Sequence, residues 1–486
     1  MNRRDFIRKS AATVAAFSAA RTGLASAMAW APRTDTAGKR VLILGAGMAG
    51  LAAAYELKDA FQVAIIEGRD RPGGRVYTLR EPFADDLHAE AGAVFSPANH
   101  EHTMQFCKLC GMKLHSVPPH DLFSASWVRN RMIRLDESSL DFEGLAAEER
   151  RMGFGGMLEK YFYGAVNELQ DPISPGWPPD SLKKYDDMSF AELLRSRGAS
   201  NASVELLRAG YLSMWGDGVD SVSALGLLRD GWFGRTDFLC QVEGGNDRLP
   251  HAMVKLLPEG TIQFGAKVVR IEHGGDEVKV IYEKEGKRLT ITADHVVCTL
   301  PFGVLRRLEV VPGFSAQKQK TIREMPYTSV ALVYLQTKTR YWAGKKIGFW
   351  MGTDLPVMTI IDASYKQPGP RGILEAYITG DHSRVVTAMK PEERIRYVRE
   401  YVQQVLPGMD REFETGASKT WDDDEFTQGD YCFYKVGQTS DIMRNAATAE
   451  GRVHFAGDHT SAMPGWMNGA LGSGRRAALE IKASVT

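Results

Sequence analysis

The sequence has no excess of charge of either sign and no long apolar run. Its 486 residues include 60 basic and 60 acidic side chains, so the basic face that nucleic-acid binding usually requires is not indicated. Beyond residues 1–31, no apolar stretch reaches the roughly 18 residues needed to cross a bilayer. A composition of 44% hydrophobic and 25% charged residues is typical of globular proteins. We therefore expect neither a membrane span nor a nucleic-acid partner.

Cysteine and histidine are also scarce. The five cysteines are Cys107, Cys110, Cys240, Cys298 and Cys432. An odd number leaves at least one thiol unpaired within the monomer, so a disulfide framework is not expected. Cys107 and Cys110 have the spacing of a redox motif, but they fall in a helix-like stretch without a second such pair, and we expect them to be packing residues. The 11 histidines include no metal-binding spacing, so no metal site is predicted.

Glycine, by contrast, is abundant, and its most informative cluster lies near the N-terminus. A buried-strand pattern is followed by Gly45, Gly47 and Gly50, and a second strand pattern ends in Glu67. Gly45 permits a tight turn, Gly47 lets the backbone approach a pyrophosphate, and Gly50 lets a helix pack closely on the strand. The helix N-terminus favours phosphate, and an acid placed like Glu67 accepts hydrogen bonds from ribose hydroxyls. This cluster predicts a dinucleotide site and therefore a redox enzyme.

Further motifs follow the second strand and recur near the C-terminus. Residues 71–75 read Arg-Pro-Gly-Gly-Arg, residues 456–458 read Ala-Gly-Asp, and residues 464–470 read Pro-Gly-Trp-Met-Asn-Gly-Ala. Middle segments that fit the same pattern lie at 90–93, 243–250 and 296–301. On these motifs the chain resembles the flavin-containing amine oxidase family, which includes monoamine, polyamine and L-amino acid oxidases. The resemblance extends over nearly the whole chain beyond its first residues.

The resemblance implies FAD as the cofactor and an α/β fold, in which a Rossmann-like FAD-binding domain is joined to a substrate domain of mixed sheet and helices. We expect the FAD-binding domain to comprise residues 40–115, 236–320 and 416–486, and the substrate domain to comprise residues 116–235 and 321–415. The resemblance implies FAD contacts from Gly45, Gly47, Met48, Ala49, Gly50, Glu67, Arg69, Gly74, Arg75, Gly92, Ala93, Val268, Gly457, Asp458, Met467 and Ala470.

The resemblance also implies the reaction, which is oxidation of a carbon–nitrogen bond in a primary or secondary amine. Hydride passes to flavin N5, and the resulting imine hydrolyses to a carbonyl compound. In the family, two aromatic residues form a cage around the amine; Trp466 and Tyr431 match them, and Trp421 is a further aromatic residue near the flavin. Core packing alone would also account for large aromatic residues at these positions. We expect a small-molecule amine as substrate and O2 or another acceptor for the electrons.

Three positions depart from the family pattern. Covalent members attach the flavin through a cysteine just before the cage tyrosine, where this chain has Asp430. Cys432 follows Tyr431 and would face elsewhere in an extended segment, so FAD is predicted to be noncovalent. The lysine that assists reaction with oxygen is expected at Leu332, which favours slow reoxidation by oxygen and leaves another acceptor open. L-amino acid oxidases place an arginine for the substrate carboxylate where this chain has Phe95, which favours an amine without an α-carboxylate.

Three functions stay open at the level of sequence. They are an amine oxidase or dehydrogenase, an L-amino acid oxidase, and a noncatalytic flavin-binding partner subunit. His100 and His102 follow Phe95 closely and could contact a polar or cationic substrate, although surface or core positions are commoner for histidine. The identity of the substrate and the oligomeric state, with a homodimer among the candidates, have no sequence signature.

The first residues carry a different signal. Residues 2–9 read Asn-Arg-Arg-Asp-Phe-Ile-Arg-Lys and precede a small, apolar run from Ser10 to Ala20. This pattern resembles a twin-arginine export signal, and residues 1–31 are predicted to form the signal peptide, with small-residue cleavage sites near its end. An amphipathic basic anchor is the alternative. Because the twin-arginine route carries folded proteins, we expect a periplasmic or secreted enzyme that receives its cofactor in the cytoplasm.

Overall fold

The computed structural model describes residues 38–117, 124–137, 139–174, 176–212, 215–236 and 238–485. The predicted export signal at residues 1–31 lies outside these ranges. The described α-helices are Met48–Leu57, Glu101–Leu109, Ala147–Met157, Gly164–Val166, Lys183–Asp186, Phe190–Ser196, Asn201–Leu207, Ala224–Gly234, Arg248–Val254, Phe302–Leu305, Ala316–Glu324, Gly380–Thr387, Pro391–Val405, Met409–Glu412, Thr439–Ala446 and Met467–Val485.

The described strands are β1 (Arg40–Leu44), β2 (Gln62–Ile66), β3 (Thr78–Leu79), β4 (Ala89–Glu90), β5 (Ser96–Pro97), β6 (Leu114–Val117), β7 (Ala125–Val128), β8 (Arg131–Arg134), β9 (Leu239–Val242), β10 (Ile262–Gln263), β11 (Lys267–Glu272), β12 (Val278–Lys284), β13 (Lys287–Ala293), β14 (His295–Cys298), β15 (Glu309–Val311), β16 (Val330–Thr337), β17 (Trp350–Thr353), β18 (Thr359–Asp362), β19 (Gly372–Thr379), β20 (Phe413–Thr420) and β21 (Val453–Phe455).

A five-stranded parallel sheet with the order β10-β2-β1-β14-β21 forms the centre of one layer. Its strands are near-continuous apolar runs, as expected for a parallel sheet covered on both faces. The helix Met48–Leu57 connects β1 to β2 and packs against the C-terminal helix Met467–Val485. Small residues permit this approach, because a Cβ atom on Gly474 would lie 2.1 Å from the carbonyl oxygen of Ala49. The two ends of the chain thus build one Rossmann-like layer, and the predicted α/β fold is confirmed.

A seven-stranded mixed sheet forms a second layer, with the order β20-β16-β19-β18-β17-β7-β8. Its central strands β16 and β19 are buried along their whole lengths. One face packs against the helix Pro391–Val405, while the other carries Tyr334 and Tyr377 in a separate core cluster with Trp350 and Trp421. The domain boundary expected at residue 416 falls inside β20, which pairs with β16 over 413–420. Apolar and polar residues alternate only weakly in this Gly- and Ser-containing strand, so the sequence does not indicate that the strand continues across residue 416.

Helices between β8 and β9 form a third core cluster beside this sheet. Among them, the helix Phe190–Ser196 begins with a capping box formed by Ser189 and Glu192. The longest helix between Asn201 and β9 is Ala224–Gly234, and the hydroxyl of Ser223 caps its N-terminus. Several residues of this helix line a cavity. Sequence motifs in this region are absent, yet its last helix supplies part of the cavity wall.

Three features are absent from the described part of the chain: disulfides, metal-binding clusters and membrane-spanning helices. The five cysteines form no disulfide there. No group of three or more histidine, cysteine, aspartate or glutamate side chains in the described ranges is arranged to hold a metal ion. Within the same ranges, each helix is too short or too polar to cross a membrane.

Candidate active site

The glycine turn after β1 opens directly into a cavity. Gly45 has a φ of +106°, and its amide donates to the carbonyl of Ile66 at 2.8 Å, which closes the turn between β1 and β2. Gly47 precedes the helix Met48–Leu57 without a side-chain cap, and a Cβ atom placed on it would meet nothing within 4 Å. A Cβ atom on Gly50 would lie 2.0 Å from the carbonyl oxygen of Gly45. Gly47 therefore borders open space at a helix N-terminus, while Gly50 is required by packing.

Glu67 lies at the end of β2 with its carboxylate beside this turn. One oxygen accepts the amide of Ala46 at 2.7 Å, and the other accepts the amide of Arg69 at 2.8 Å. Burial raises the pKa of Glu67, although both amide bonds and the charge of Arg69 oppose that shift. Each carboxylate oxygen retains a lone pair for a further donor, which suits a ribose hydroxyl reaching the cavity wall.

Arg75 and Asp458 form an ion pair that faces the same cavity. Arg75 also donates to the backbone carbonyl of Asp430, and Asp458 accepts the amide of Gly465 at 2.9 Å. Although burial alone would raise it, the pKa of Asp458 is held well below its usual range by Arg75. A charged pair of this kind presents a fixed dipole to any ligand in the cavity.

The cavity has a volume of about 500 Å³. Of the residues expected to contact FAD, all but Gly50 line it, namely Gly45, Gly47, Met48, Ala49, Glu67, Arg69, Gly74, Arg75, Gly92, Ala93, Val268, Gly457, Asp458, Met467 and Ala470. A dinucleotide needs open backbone at a helix N-terminus and an acid for its ribose. Gly47 and Glu67 meet both requirements in one continuous cavity, so the residues present fit a dinucleotide.

An aromatic wall, defined as Phe95, Trp350, Tyr377, Tyr431 and Trp466, lines another part of the cavity. The ring centroid of Phe95 lies 5.8 Å from that of Trp350 and 6.1 Å from that of Trp466. The side chains of Tyr377 and Tyr431 hydrogen-bond to each other, and burial raises the pKa of both phenols. The two residues expected to cage an amine therefore share one wall with three aromatic side chains that have no motif.

Trp421 does not line the cavity. It is fully buried, and its Nε1 donates to the carbonyl oxygen of Ala91 at 2.9 Å. A Cβ atom on Gly92 would lie 3.3 Å from the Trp421 ring and 1.8 Å from the carbonyl oxygen of Arg75. The structure thus places Trp421 behind the cavity-lining residue Gly92, where it supports the wall instead of facing a ligand.

The three positions that depart from the family pattern occupy different surroundings. Phe95 and Asp430 line the cavity. Leu332 is fully buried on β16, opposite Tyr377 on one side and Lys419 on the other. Cys432 also lines the cavity, contrary to the expectation that it faces elsewhere. The chain bends at 430–431 instead of running as a strand, so side chains there do not alternate between two faces.

The two histidines after Phe95 do not line the cavity. His100 is buried behind the aromatic wall, where its ring meets Trp466 edge to face, with centroids 5.0 Å apart. Burial lowers the pKa of His100 to about 4, so its ring is neutral near pH 7. His102 is half-buried and interacts with Arg475. Both positions match the commoner interpretation of histidine as a core or surface residue.

The sequence profile described as flavin containing amine oxidoreductase matches residues 48–482. The chain belongs to this family. It is therefore an oxidoreductase whose family uses a flavin cofactor, and a noncatalytic role is disfavoured.

Relatives of the chain include named oxidases of amino acids and of amines. A Bacillus subtilis (strain 168) protein with a provisional L-amino-acid oxidase name, YobN, is 29% identical over 91% of this chain and 94% of its own. L-amino-acid oxidase of Naja atra is 26% identical over 91% of this chain and 88% of its own. A solved structure of wild-type putrescine oxidase with bound putrescine superposes with a TM-score of 0.77 over 92% of this chain and all of its own, at 20% identity. That structural likeness shows a shared fold.

Sequence reading missed several residues of the cavity wall. They are Trp215, Arg229, Asp230, Trp350 and Tyr377. Tyr377 lies on β19, where it pairs with Leu332 of β16. All five lie in segments without a motif, and only the packing of the second layer and of the helices beside it brings them to the cavity.

Proposed function

We propose that the protein is an FAD-dependent enzyme that oxidises the carbon–nitrogen bond of a primary or secondary amine without an α-carboxylate, and that its FAD is noncovalent. The glycine turn, Glu67 and the Arg75–Asp458 pair would hold the cofactor. When bound, FAD supplies the acceptor for hydride from the carbon beside the nitrogen. The imine released would hydrolyse to a carbonyl compound.

The observation that carries this proposal is the continuity of the glycine turn and the aromatic wall in one cavity. Aromatic side chains exclude water and so favour the neutral form of an amine, which is the form that can lose hydride. Tyr431 and Trp466 are held together because Gly465, which precedes Trp466, packs on the Tyr431 side chain. A Cβ atom placed on Gly465 would lie 3.3 Å from the Tyr431 Cβ atom. The wall can therefore orient a substrate without an acid or base among these residues.

Two features support a noncovalent cofactor. Asp430 occupies the position where a linking cysteine is expected, and a carboxylate does not form the thioether link of covalent relatives. Burial raises the pKa of the Cys432 thiol far above its ordinary value. A thiol kept protonated is a poor nucleophile, so Cys432 is a poor substitute for the absent cysteine.

L-amino acid oxidation is the second candidate, favoured by Arg229 in the cavity wall and by the names of the relatives. Arg229 is already engaged, however, because its guanidinium donates to Asp230 at 3.2 Å and lies 5.1 Å from the centroid of Tyr434. Phe95, at the position expected for a carboxylate-binding arginine, offers no charge. A substrate carboxylate near Asp230 would meet a like charge, which disfavours it.

The electron acceptor and the cellular location also belong to the proposal. Leu332 carries no charge where many members have lysine, so we propose slow reoxidation by O2 and a second acceptor. We further propose export through the twin-arginine route. Fusing residues 1–39 to a reporter that is exported only when folded tests this, with Lys replacing Arg3 and Arg4 as the control. Export of the control as efficiently as the native fusion would contradict the proposed route.

Anaerobic bleaching of the flavin absorbance tests the function itself. The purified holoenzyme is mixed with monoamines, polyamines and L-amino acids, and air is then readmitted while peroxide is measured. Bleaching by amines alone supports the proposal, and slow recolouring in air supports a second acceptor. Bleaching by amino acids but not by amines would establish the second candidate, and no bleaching by either class would reject both. Release of the flavin by acid precipitation tests whether it is noncovalent.

A further inference from the structure

Asp230 is a carboxylate in the cavity wall that has no part in the proposed cofactor site. It lies on the helix Ala224–Gly234, and its side chain is 12% exposed where it borders the cavity. Leu227, one turn earlier on the same helix, lines the cavity too, together with the aromatic residues Phe433 and Tyr434. A carboxylate among apolar and aromatic side chains is costly to bury without a compensating partner.

In the described structure, Arg229 is a hydrogen-bond partner for only one oxygen of this carboxylate. Oδ1 of Asp230 accepts from Arg229 at 3.2 Å, and no other hydrogen bond to the Asp230 carboxylate occurs within the described ranges. Arg229 is itself fixed, because its guanidinium contacts the Met443 sulfur at 3.3 Å and the Tyr434 ring. The single bond therefore orients Asp230 and leaves Oδ2 available to a ligand.

The other acids of the cavity wall are engaged differently. Glu67 accepts two backbone amides, Asp458 pairs with Arg75, and Glu425 pairs with Lys267. Asp430 lies beside Arg75, whose charge opposes the rise that burial causes in its pKa. In the described wall, Asp230 is thus the acid set apart from the motifs that would hold the cofactor.

Asp230 shares its cavity with the aromatic wall. Burial, Asp430 and, to a smaller extent, Asp230 all raise the pKa of Tyr431. Tyr431 belongs to the aromatic wall that would orient the amine. Asp230 and Tyr431 line the same cavity, so a substrate held at the aromatic wall would share that cavity with the Asp230 carboxylate, and neighbouring aromatic faces would also attract a cation.

We propose that Asp230 binds a second cationic group of the substrate, and hence that the substrate is an amine carrying another positively charged nitrogen. This inference rests on the proposed function. Asp230 would act as a specificity-determining residue: it pairs with the distant cation, while the reacting nitrogen lies at the aromatic wall in its neutral form. The same charge would repel a substrate carboxylate.

The test compares unbranched diamines with monoamines of equal chain length in anaerobic, rapid-mixing reduction of the holoenzyme flavin. The quantity compared is the limiting rate of flavin reduction divided by the dissociation constant of the amine. For the native protein we expect this ratio to be about 10- to 100-fold higher for the best diamine than for its matched monoamine, which is the range for a charge-assisted hydrogen bond. Asp230→Asn should reduce this preference to within about threefold, measured as the ratio of diamine to monoamine efficiency in the same variant. Asp230→Glu should retain part of the preference for diamines.

Asp276→Asn is the matched control, because Asp276 is exposed in the turn between β11 and β12. It should behave as the native protein. A readout independent of turnover is the perturbation of the flavin spectrum by a bis-quaternary alkylammonium ion, which cannot be oxidised by the proposed reaction. Native protein should bind this dication more tightly than the mono-quaternary ion, and Asp230→Asn should bind the two alike. Flavin content and melting temperature identify any variant that fails to fold.

The outcomes separate this inference from the proposed function. Reduction by monoamines and diamines with equal efficiency would overturn the role of Asp230 and leave amine oxidation standing. An equal loss for both substrate classes in a correctly folded Asp230→Asn protein would also overturn it. If only amino acids reduce the flavin, the proposed function fails. In that case an Asp230-dependent preference for L-lysine over L-norleucine would still support cation binding, and its absence would reject it.

Discussion

Arg75 and Asp458 form a buried ion pair in the cavity wall although 383 positions separate them in the chain. Arg75 lies in the loop after β2, and Asp458 follows β21 at the edge of the same parallel sheet. Their side chains are 19% and 7% exposed. The carboxyl ends of parallel strands meet at one edge of a sheet, so the two loops converge where a dinucleotide would lie.

Replacing Asp458 by Asn should destabilise the protein by about 3 kcal/mol, because the charge of Arg75 is then buried without its partner. The pKa of Asp458 is depressed in the folded state, so its contribution is present above the unfolded value of about 3.9 and is lost as pH falls. Denaturant unfolding of both proteins measures the difference, which should shrink below about pH 4. A constant difference from neutral to acidic pH would contradict this assignment, and Asp276→Asn serves as the charge-matched control.

Alanine substitutions at Gly47 and Gly50 should have opposite consequences. Gly47 has a φ of −72° and free space around its Cβ position, so Gly47→Ala should fold with native stability but lose flavin, since the added methyl group occupies the approach of the phosphates. Gly50→Ala should destabilise the cofactor-free protein, because its methyl group meets the Gly45 carbonyl. Flavin content and cofactor-free melting temperature distinguish the two. A native flavin content in Gly47→Ala would show that the cofactor does not approach there.

Tyr431 and Trp421 should respond differently to truncation although both are buried aromatic residues. Tyr431→Ala removes part of the aromatic wall, and the rate of anaerobic flavin reduction should fall about 10- to 100-fold through loss of substrate orientation. Trp421→Phe loses the hydrogen bond to Ala91 and leaves space where the larger, fully buried ring was, which should cost about 1–3 kcal/mol of stability. Its reduction rate should stay within about twofold of native. An equal loss of rate in both variants would place Trp421 in contact with the reaction.

Glu90 should make the protein less stable as pH rises through neutrality. It is buried between Thr78 and the amide of Asn246, and burial raises its pKa from the ordinary value of 4.5 to about 8. Between these values the unfolded chain is ionised while the folded protein retains the proton, so stability falls by up to about 1.4 kcal/mol per pH unit. Relative to Glu90→Gln, the native protein should therefore lose stability from about pH 5 to pH 8. Parallel pH profiles of unfolding free energy would refute this.

The motif residues could be located by sequence because their chemistry depends on local backbone. The turn at Gly45 and Gly47 and the acid at Glu67 follow from strand, turn and helix within one short segment, which the structure reproduces. The position of Trp421 could not be found this way, since a buried tryptophan beside a cavity and one in its wall have the same sequence pattern. Cys432 was misjudged because a bend at 430–431 replaces the regular alternation of a strand.

By itself, the sequence determined the α/β fold, the family and the part of the cavity wall that the glycine motifs form, because repeated local patterns and glycine positions encode them. Only the tertiary structure decided which residues of the second layer and of the helices beside it reach that cavity. Asp230 and Tyr377 come from a helix and a strand separated by 147 positions, and no local pattern links them. Their proximity to one cavity results from long-range packing of the two layers, which depends on the whole set of contacts and not on any single segment.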